Sequence, residues 1–286
     1  MKAICGIDVG GTAVKIGIFD LDMNLIEKYQ IKTTQSIFKD VAESLKGKDY
    51  EIVSYGVGVP GPVVDNVVDC PNANLKNVNV KVELEKYVKC NEIYVGNDAN
   101  MAALAEAKCG AGKDLKSSAT ITIGTGIGCG IVVDGKILNG DFGAGGEIGH
   151  IKVTDEGQCG CGNIGCLETT CAARGIANIA SKSERLKGLS VKEIVDMARE
   201  GDAEAFALVD KVCYYLAYAA SIMACVVNPS AIIFGGGISN GGAIIIDNIQ
   251  KHFDKIAFRN VKNTKILKAT AGNDAGIIGA AYLTQC

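Results

Sequence analysis

The chain contains no block of lysines and arginines, and its formal charge is −3. A surface without such a block does not favour nucleic acid or an anionic bilayer, so neither is expected as a partner. No uninterrupted apolar run reaches membrane-spanning length. The start, MKAICGIDVGG, lacks the apolar core of a signal peptide, because Asp8 interrupts it. A cytoplasmic location is the resulting expectation. No Walker loop, G-x-x-x-x-G-K-[ST], occurs, which removes the P-loop architecture. No Pro/Ser-rich linker or low-complexity tract divides the chain, so any lobes should be tightly connected. Histidine is scarce, at two residues, and one of them, His150, stands just before a cluster of cysteines.

Twelve cysteines in a cytosolic chain do not read as disulfides. Most are scattered, several in apolar runs such as AICGI and SIMACVV, where Cys acts as a small hydrophobe. Cys159, Cys161 and Cys166 differ in having ligand-like spacing. Three thiolates and the imidazole of His150 are four donors of the kind tetrahedral zinc takes. All four would come from the protein, which makes such a site structural rather than catalytic. Reduced thiols without metal are the alternative reading of the spacing.

Residues 2–31 read as a three-stranded meander, KAICGIDVG, AVKIGIFD and LIEKYQI, with turns at the glycines and at LDMN. The same grammar returns over 119–139 in ATITIG, CGIVVDG and KILNG. Two meanders with a Gly/Thr first turn and an Asp-containing second turn suggest duplicated α/β lobes. Between and after them lie helical stretches. DANMAALAEAKCG runs from an Asn/Asp start to a Gly stop, and a long apolar helix from 202 ends at Asn228-Pro229. AIIFGGGIS reads as a buried strand running into glycines, 242–253 as a helix, and AGIIGAAYL as a final helix packed on small residues.

GVGVPG at 56–61 fits G-x-G-x-x-G formally, but prolines and extended chain follow it, with no helix to face a pyrophosphate. The better phosphate turn is DVGGTAVK. Gly10 and Gly11 let backbone amides approach phosphate oxygens, Thr12 adds a hydroxyl, Lys15 a point charge, and Asp8 could hold Mg²⁺ or its waters. An ordinary Gly-Gly hairpin is the bland alternative. The second turn, Gly124, Thr125, Gly126, repeats the pattern, and Gly235, Gly236 and Gly237 offer a flat surface for an adenosine.

With GIDVGGTAVKIGIFD, NDANMAALAE, TIGTGIGCGIVVDG, GGEIGHIKV, CGCGNIGCLE and NPSAIIFGGGIS in this order, the chain resembles the ROK family of sugar kinases and is most similar to its bacterial glucokinases. The resemblance implies a two-lobed α/β fold of the actin-like ATPase (ribonuclease H-like) kind, each lobe a mixed sheet with flanking helices. The lobes would be 1–117, with 274–286 packing back on it, and 118–273. It also implies ATP with Mg²⁺ as donor, a hexose as acceptor, structural zinc at the cysteine cluster and a homodimer. By the same resemblance Asp98 is the general base at the hexose 6-hydroxyl, where an isolated Asn-Asp pair would otherwise read as a helix cap. Asn97, Asn74, Gly61, Glu147, His150 and Glu168 are implied as sugar contacts, the zinc-bound imidazole offering its second nitrogen. Asn77 stands where the family often has an aromatic, which leaves glucose, fructose and N-acetylhexosamines all in view. A sugar-responsive repressor of the family would need a helix-turn-helix ahead of the first phosphate turn, and a catalytically silent sugar binder could dispense with Asp98. An active kinase is therefore the expectation.

Overall fold

The computed structural model describes residues 1–70, 73–90 and 92–286. β1 (Lys2–Val9) and β2 (Ala13–Phe19) are largely buried, while β3 (Leu25–Lys32) alternates between exposed and half-buried positions, as an edge strand does. They pair antiparallel in the meander read from the sequence. After α1 (Ile37–Leu45), β4 (Glu51–Val59) lies parallel to β1. The chain then enters a small antiparallel sheet of β5 (Val63–Val64), β6 (Val67–Cys70) and β7 (Leu75–Asn79). Asp65 and Asn66, with φ of 50° and 64°, form the left-handed pair that a two-residue hairpin turn requires. GVGVPG thus runs into strands and has no helix behind it. α2 (Val80–Glu85), β8 (Ile93–Asn97) and α3 (Asp98–Cys109) follow, with β8 parallel to β4.

The second meander consists of β9 (Ser117–Ile123), β10 (Ile127–Val133) and a β11 of only two residues (Lys136–Ile137). The predicted strand through residue 139 stops early because Asn139 instead accepts a backbone bond from Gly145 at 2.7 Å. Then come α4 (Leu167–Cys171), α5 (Ala173–Ala180), α6 (Val191–Arg199), α7 (Ala203–Val227), β12 (Ala231–Gly235), α8 (Ala243–Ile256), β13 (Lys265–Lys268) and α9 (Ala275–Leu283). The two large sheets run β3-β2-β1-β4-β8 and β11-β10-β9-β12-β13. Each places its meander third, second, first, and then adds two strands parallel to the first. This is the α/β fold with mixed sheets and flanking helices that the resemblance implies.

Two compact units divide the chain: Met1–Lys113 with Gly130–Gly145 and Ala271–Cys286, and Asp114–Cys129 with Gly146–Thr270. Gly130 groups with the first unit, where a Cβ on it would lie 2.5 Å from the Ala103 Cβ and 2.8 Å from the Ala99 carbonyl of α3. In the same unit α9 lies directly on strand backbone. A Cβ at Gly6 would stand 2.2 Å from the Ile277 carbonyl oxygen, and one at Gly56 only 1.6 Å from that of Ala280. In the second unit α7 is 25 residues long and apolar enough, by length and composition, to cross a membrane. Asp210 and Lys211 interrupt its apolar run. Half of its apolar window is buried inside the protein, against α6 and α8.

Candidate functional site

The glycine turn between β1 and β2 is set by their register, which places Asp8 opposite Lys15. Gly10 donates to the Ala13 carbonyl at 3.0 Å, and the Thr33 hydroxyl donates to the Gly10 carbonyl at 2.6 Å. Gly11 and Thr12 are exposed at the tip. Burial raises the Asp8 carboxyl above its ordinary pKa, opposed by the Lys15 ammonium, whose Nζ is 4.0 Å from Asp8 Oδ2. Lys15 is already engaged, donating to the Asn273 carbonyl at 2.9 Å. Asp8 itself meets the first turn of α9: a Cβ at Gly276 would lie 2.5 Å from its Cγ and Oδ2. The sequence reading missed Gly276, because its partner is 268 positions away.

Still in the first unit, β8 delivers Asn97 and Asp98 to the start of α3. Asn97 is the N-cap, and its Oδ1 accepts from Ala99 N at 2.9 Å and Asn100 N at 3.2 Å. Its Nδ2 donates to the Gly61 carbonyl at 3.0 Å, and Gly61 has φ of 89°. Asn97 and Gly61 are thus brought together, with most of the carboxamide used by the protein itself. Asp98 occupies the first helical position, where its Oδ1 accepts from Ala99 N at 2.7 Å. The positive end of the helix lies beside this carboxyl. Asn74 is exposed, with φ of 58°, and donates to the Thr34 carbonyl at 3.4 Å. Asn77 is also exposed.

In the second unit the turn of Gly124, Thr125 and Gly126 joins β9 to β10, and Gly124 N donates to the Gly126 carbonyl at 2.9 Å. Glu168, in the first turn of α4, closes this turn: its Oε2 accepts from Ile127 N at 3.0 Å. A Cβ at Gly126 would stand 2.4 Å from the same oxygen. Glu168, expected only as a sugar contact, therefore also holds the glycine turn between β9 and β10. At the end of β12, Gly236 takes φ of 84° and lies on Ile123, where a Cβ would come within 2.3 Å of the carbonyl oxygen. Gly235 is buried, Gly237 is exposed, and a Cβ on Gly237 would meet nothing within 4 Å. A groove of about 930 Å³ within this unit is lined by Thr125, Gln158, Cys159, Glu168, Arg174 and Lys211, among others.

The cysteine cluster is built by a short loop. Bridges Lys152↔Cys166 and Gln158↔Ile164 fold it back, Cys159 N donates to the Asn163 carbonyl at 2.9 Å, and Gly165 takes φ of 80°. His150 ends the turn Ile148–His150. The donor atoms of His150, Cys159, Cys161 and Cys166 all lie within 4.8 Å of one another. His150 Nδ1 is 3.6 Å from Cys159 Sγ, and Cys161 Sγ is 3.7 Å from Cys166 Sγ. Bond lengths of 2.0–2.3 Å around a tetrahedral zinc give edges of about 3.6 and 3.8 Å, so the donor set fits that ion. Burial and the two neighbouring sulfurs push the Cys166 thiol up to about 12. The Asn163 backbone, followed by Cys159, holds the Cys161 thiol below its ordinary value. Gathering three sulfurs this closely favours a cation among them. With Nδ1 facing the sulfurs, His150 turns Nε2 toward Glu147, 3.8 Å from its Oε2.

The ROK family model matches residues 4–286. A glucokinase of Halalkalibacterium halodurans is 36% identical over 312 residues, covering 98% of this chain and 94% of that protein. An N-acetyl-D-glucosamine kinase of Vibrio cholerae is 28% identical, covering 97% of this chain and 98% of that one. Among solved structures, a ROK family glucokinase from Streptomyces griseus in complex with glucose and AMPPNP superposes with a TM-score of 0.82 at 29% identity, covering 99% of each chain.

Proposed function

The chain belongs to the ROK family, and we propose that it is an ATP-dependent hexose kinase acting on the sugar 6-hydroxyl, with glucose as acceptor. The observation that carries this reading is its likeness to glucokinases over the full length, in a chain with a carboxylate at the first position of α3. Phosphoryl transfer to an alcohol needs positioning, charge neutralisation and a base. Asp98 is the base. Asn97, Gly61, Asn74, Glu147, His150 and Glu168 take the remaining sugar contacts. Asp8 serves the Mg²⁺ that accompanies ATP, while Gly10, Gly11, Thr12 and Lys15, and likewise Gly124, Thr125 and Gly126, receive phosphate oxygens. Gly235, Gly236 and Gly237 face the adenosine.

Zinc in this reading is held by His150, Cys159, Cys161 and Cys166 and performs no step. It supplies a fixed imidazole, whose Nε2 then donates in one direction beside Glu147. The protein is read as a cytoplasmic homodimer. The exposed Phe206, Tyr214 and Tyr218 of α7 support association, which light scattering of purified protein checks.

The test of the activity is a sugar panel at fixed MgATP, read by coupled ADP release. Glucose should give the highest kcat/KM. The similarity to an N-acetyl-D-glucosamine kinase favours an N-acetylhexosamine as second reading, and fructose is the other alternative within the family. If either exceeds glucose by about tenfold, a difference of about 1.4 kcal/mol in transition-state binding, glucose is the wrong acceptor. No ADP release with any hexose overturns the kinase itself.

A further inference from the structure

Glu106 lies in the last turn of α3, buried to 2% exposure. A carboxylate there meets the negative end of the helix dipole and loses its hydration, two costs that an alanine would not incur. The carboxylate is held by two backbone N–H groups, one in the turn just after α3 and one 165 residues away. Its Oε2 accepts from Ala111 N at 2.8 Å, and its Oε1 from Ala271 N at 2.8 Å. Its carbonyl adds bonds from Gly110 N at 3.1 Å and Gly112 N at 2.9 Å. Gly110 cannot carry a side chain here, since a Cβ would lie 2.1 Å from Oε2.

Ala271 opens the segment that borders the first phosphate turn. The next residues form the turn Gly272–Asp274. There the Asn273 carbonyl takes the Lys15 ammonium, and Asp274 pairs with Lys28 at 2.5 Å. Gly276 follows, pressed against the Asp8 carboxyl. Asp98 sits at the other end of α3, about two turns from Glu106. Farther along, α3 and α9 touch at backbone distance, a Cβ at Gly279 falling 1.7 Å from the Met101 carbonyl oxygen. From this connection we infer that Glu106 is a positioning residue for phosphoryl transfer. Its carboxylate pins the start of the 271–276 segment to α3, and so fixes Asp8 and Lys15 relative to Asp98. The inference rests on the kinase reading for its consequence, and on the hydrogen bonds alone for the pin.

The test uses full-length Glu106→Gln and Gly110→Ala. Glutamine keeps one acceptor and turns an amide NH₂ toward the other N–H; alanine at 110 displaces the carboxylate while keeping its charge. Both should lower kcat by roughly 10- to 10²-fold, the scale of a displacement remote from the chemistry. KM for MgATP should rise, while sugar affinity by calorimetry stays unchanged. Amide hydrogen exchange at Ala111 and Ala271 should be slow in the wild type and faster in both variants. A lowered Tm with kcat and KM for MgATP unchanged reduces Glu106 to a structural part and overturns the inference. So does fast exchange of the two amides in the wild type, a reading that needs no variant to fold. A wild type that phosphorylates no hexose defeats the kinase reading separately, and exchange and MgADP affinity still decide the pin.

Discussion

Asn97 donates from Nδ2 to the Gly61 carbonyl at 3.0 Å while its Oδ1 caps α3. One carboxamide therefore ties the turn after β4 to the helix that presents Asp98. Asn97→Asp separates the two roles, because aspartate caps about as well as asparagine but sets an oxygen against the Gly61 carbonyl. Loss of that bond, with an acceptor left unpaired, should cost about 1–3 kcal/mol. The expected result is a lower Tm and a higher KM for the sugar with kcat little changed. A wild-type KM in a folded variant would show that the Gly61 tether does not serve the sugar side.

Much of the fold is legible in the sequence wherever local pattern and tertiary demand agree. The β1–β2–β3 meander has alternation and glycine turns, and α7 has an Asp start and an Asn228-Pro229 stop. α4 and α5 were missed, since helices of 5 and 8 residues are too short to show a period. The site divides in the same way. Asp8 and the cysteine ligands stand in local motifs whose spacing suggests a chemistry, whereas Asn97 and Asp98 by themselves read as a helix cap and are singled out only by the family resemblance. Glu106 looks like one charge in the Ala-rich run AALAEAK; its burial depends on Ala271, 165 residues away. Nor does any local pattern show that Glu168 would hold Ile127 N.

The cysteine cluster yields a metal prediction. Freshly purified, unchelated protein should contain one zinc per chain. Cys161→Ser should release it, because Cys161 supplies one of the four donor atoms. Sugar affinity should weaken more than MgATP affinity, since Glu147 and Glu168 flank this loop. Elemental analysis beside calorimetry with both ligands checks the claim, and protein without zinc would remove the metal from the account.

Asp8 gives a pH-dependent prediction with a definite sign. Burial raises its pKa in the folded state, so the folded protein retains a proton that the unfolded chain has lost. Stability from this group is full below the ordinary carboxylate pKa of about 3.9 and declines as pH rises through the folded value. Ionised Asp8 therefore costs stability at neutral pH. Asp8→Asn should melt higher than wild type near neutrality, with the gain shrinking toward about pH 4, and should lose activity through weakened Mg²⁺ handling. A Tm difference independent of pH, or a variant as active as wild type, would count against this role.

Asp98 is where a kinase and a sugar-binding protein part. It accepts from Ala99 N at 2.7 Å in the first turn of α3, a placement that a structural aspartate would share. Asp98→Asn keeps the shape and an acceptor for that N–H while removing the capacity to take the proton of the attacking hydroxyl. If the residue is structural, the variant should fold, bind sugar and turn over almost as wild type does. If it is the base, sugar affinity should persist while kcat falls by roughly 10² to 10⁴, the usual range for general-base catalysis. Calorimetry and steady-state kinetics on the same preparation separate the outcomes. A variant keeping more than about a tenth of wild-type kcat takes Asp98 out of the mechanism, because an effect that small lies within what altered positioning alone produces.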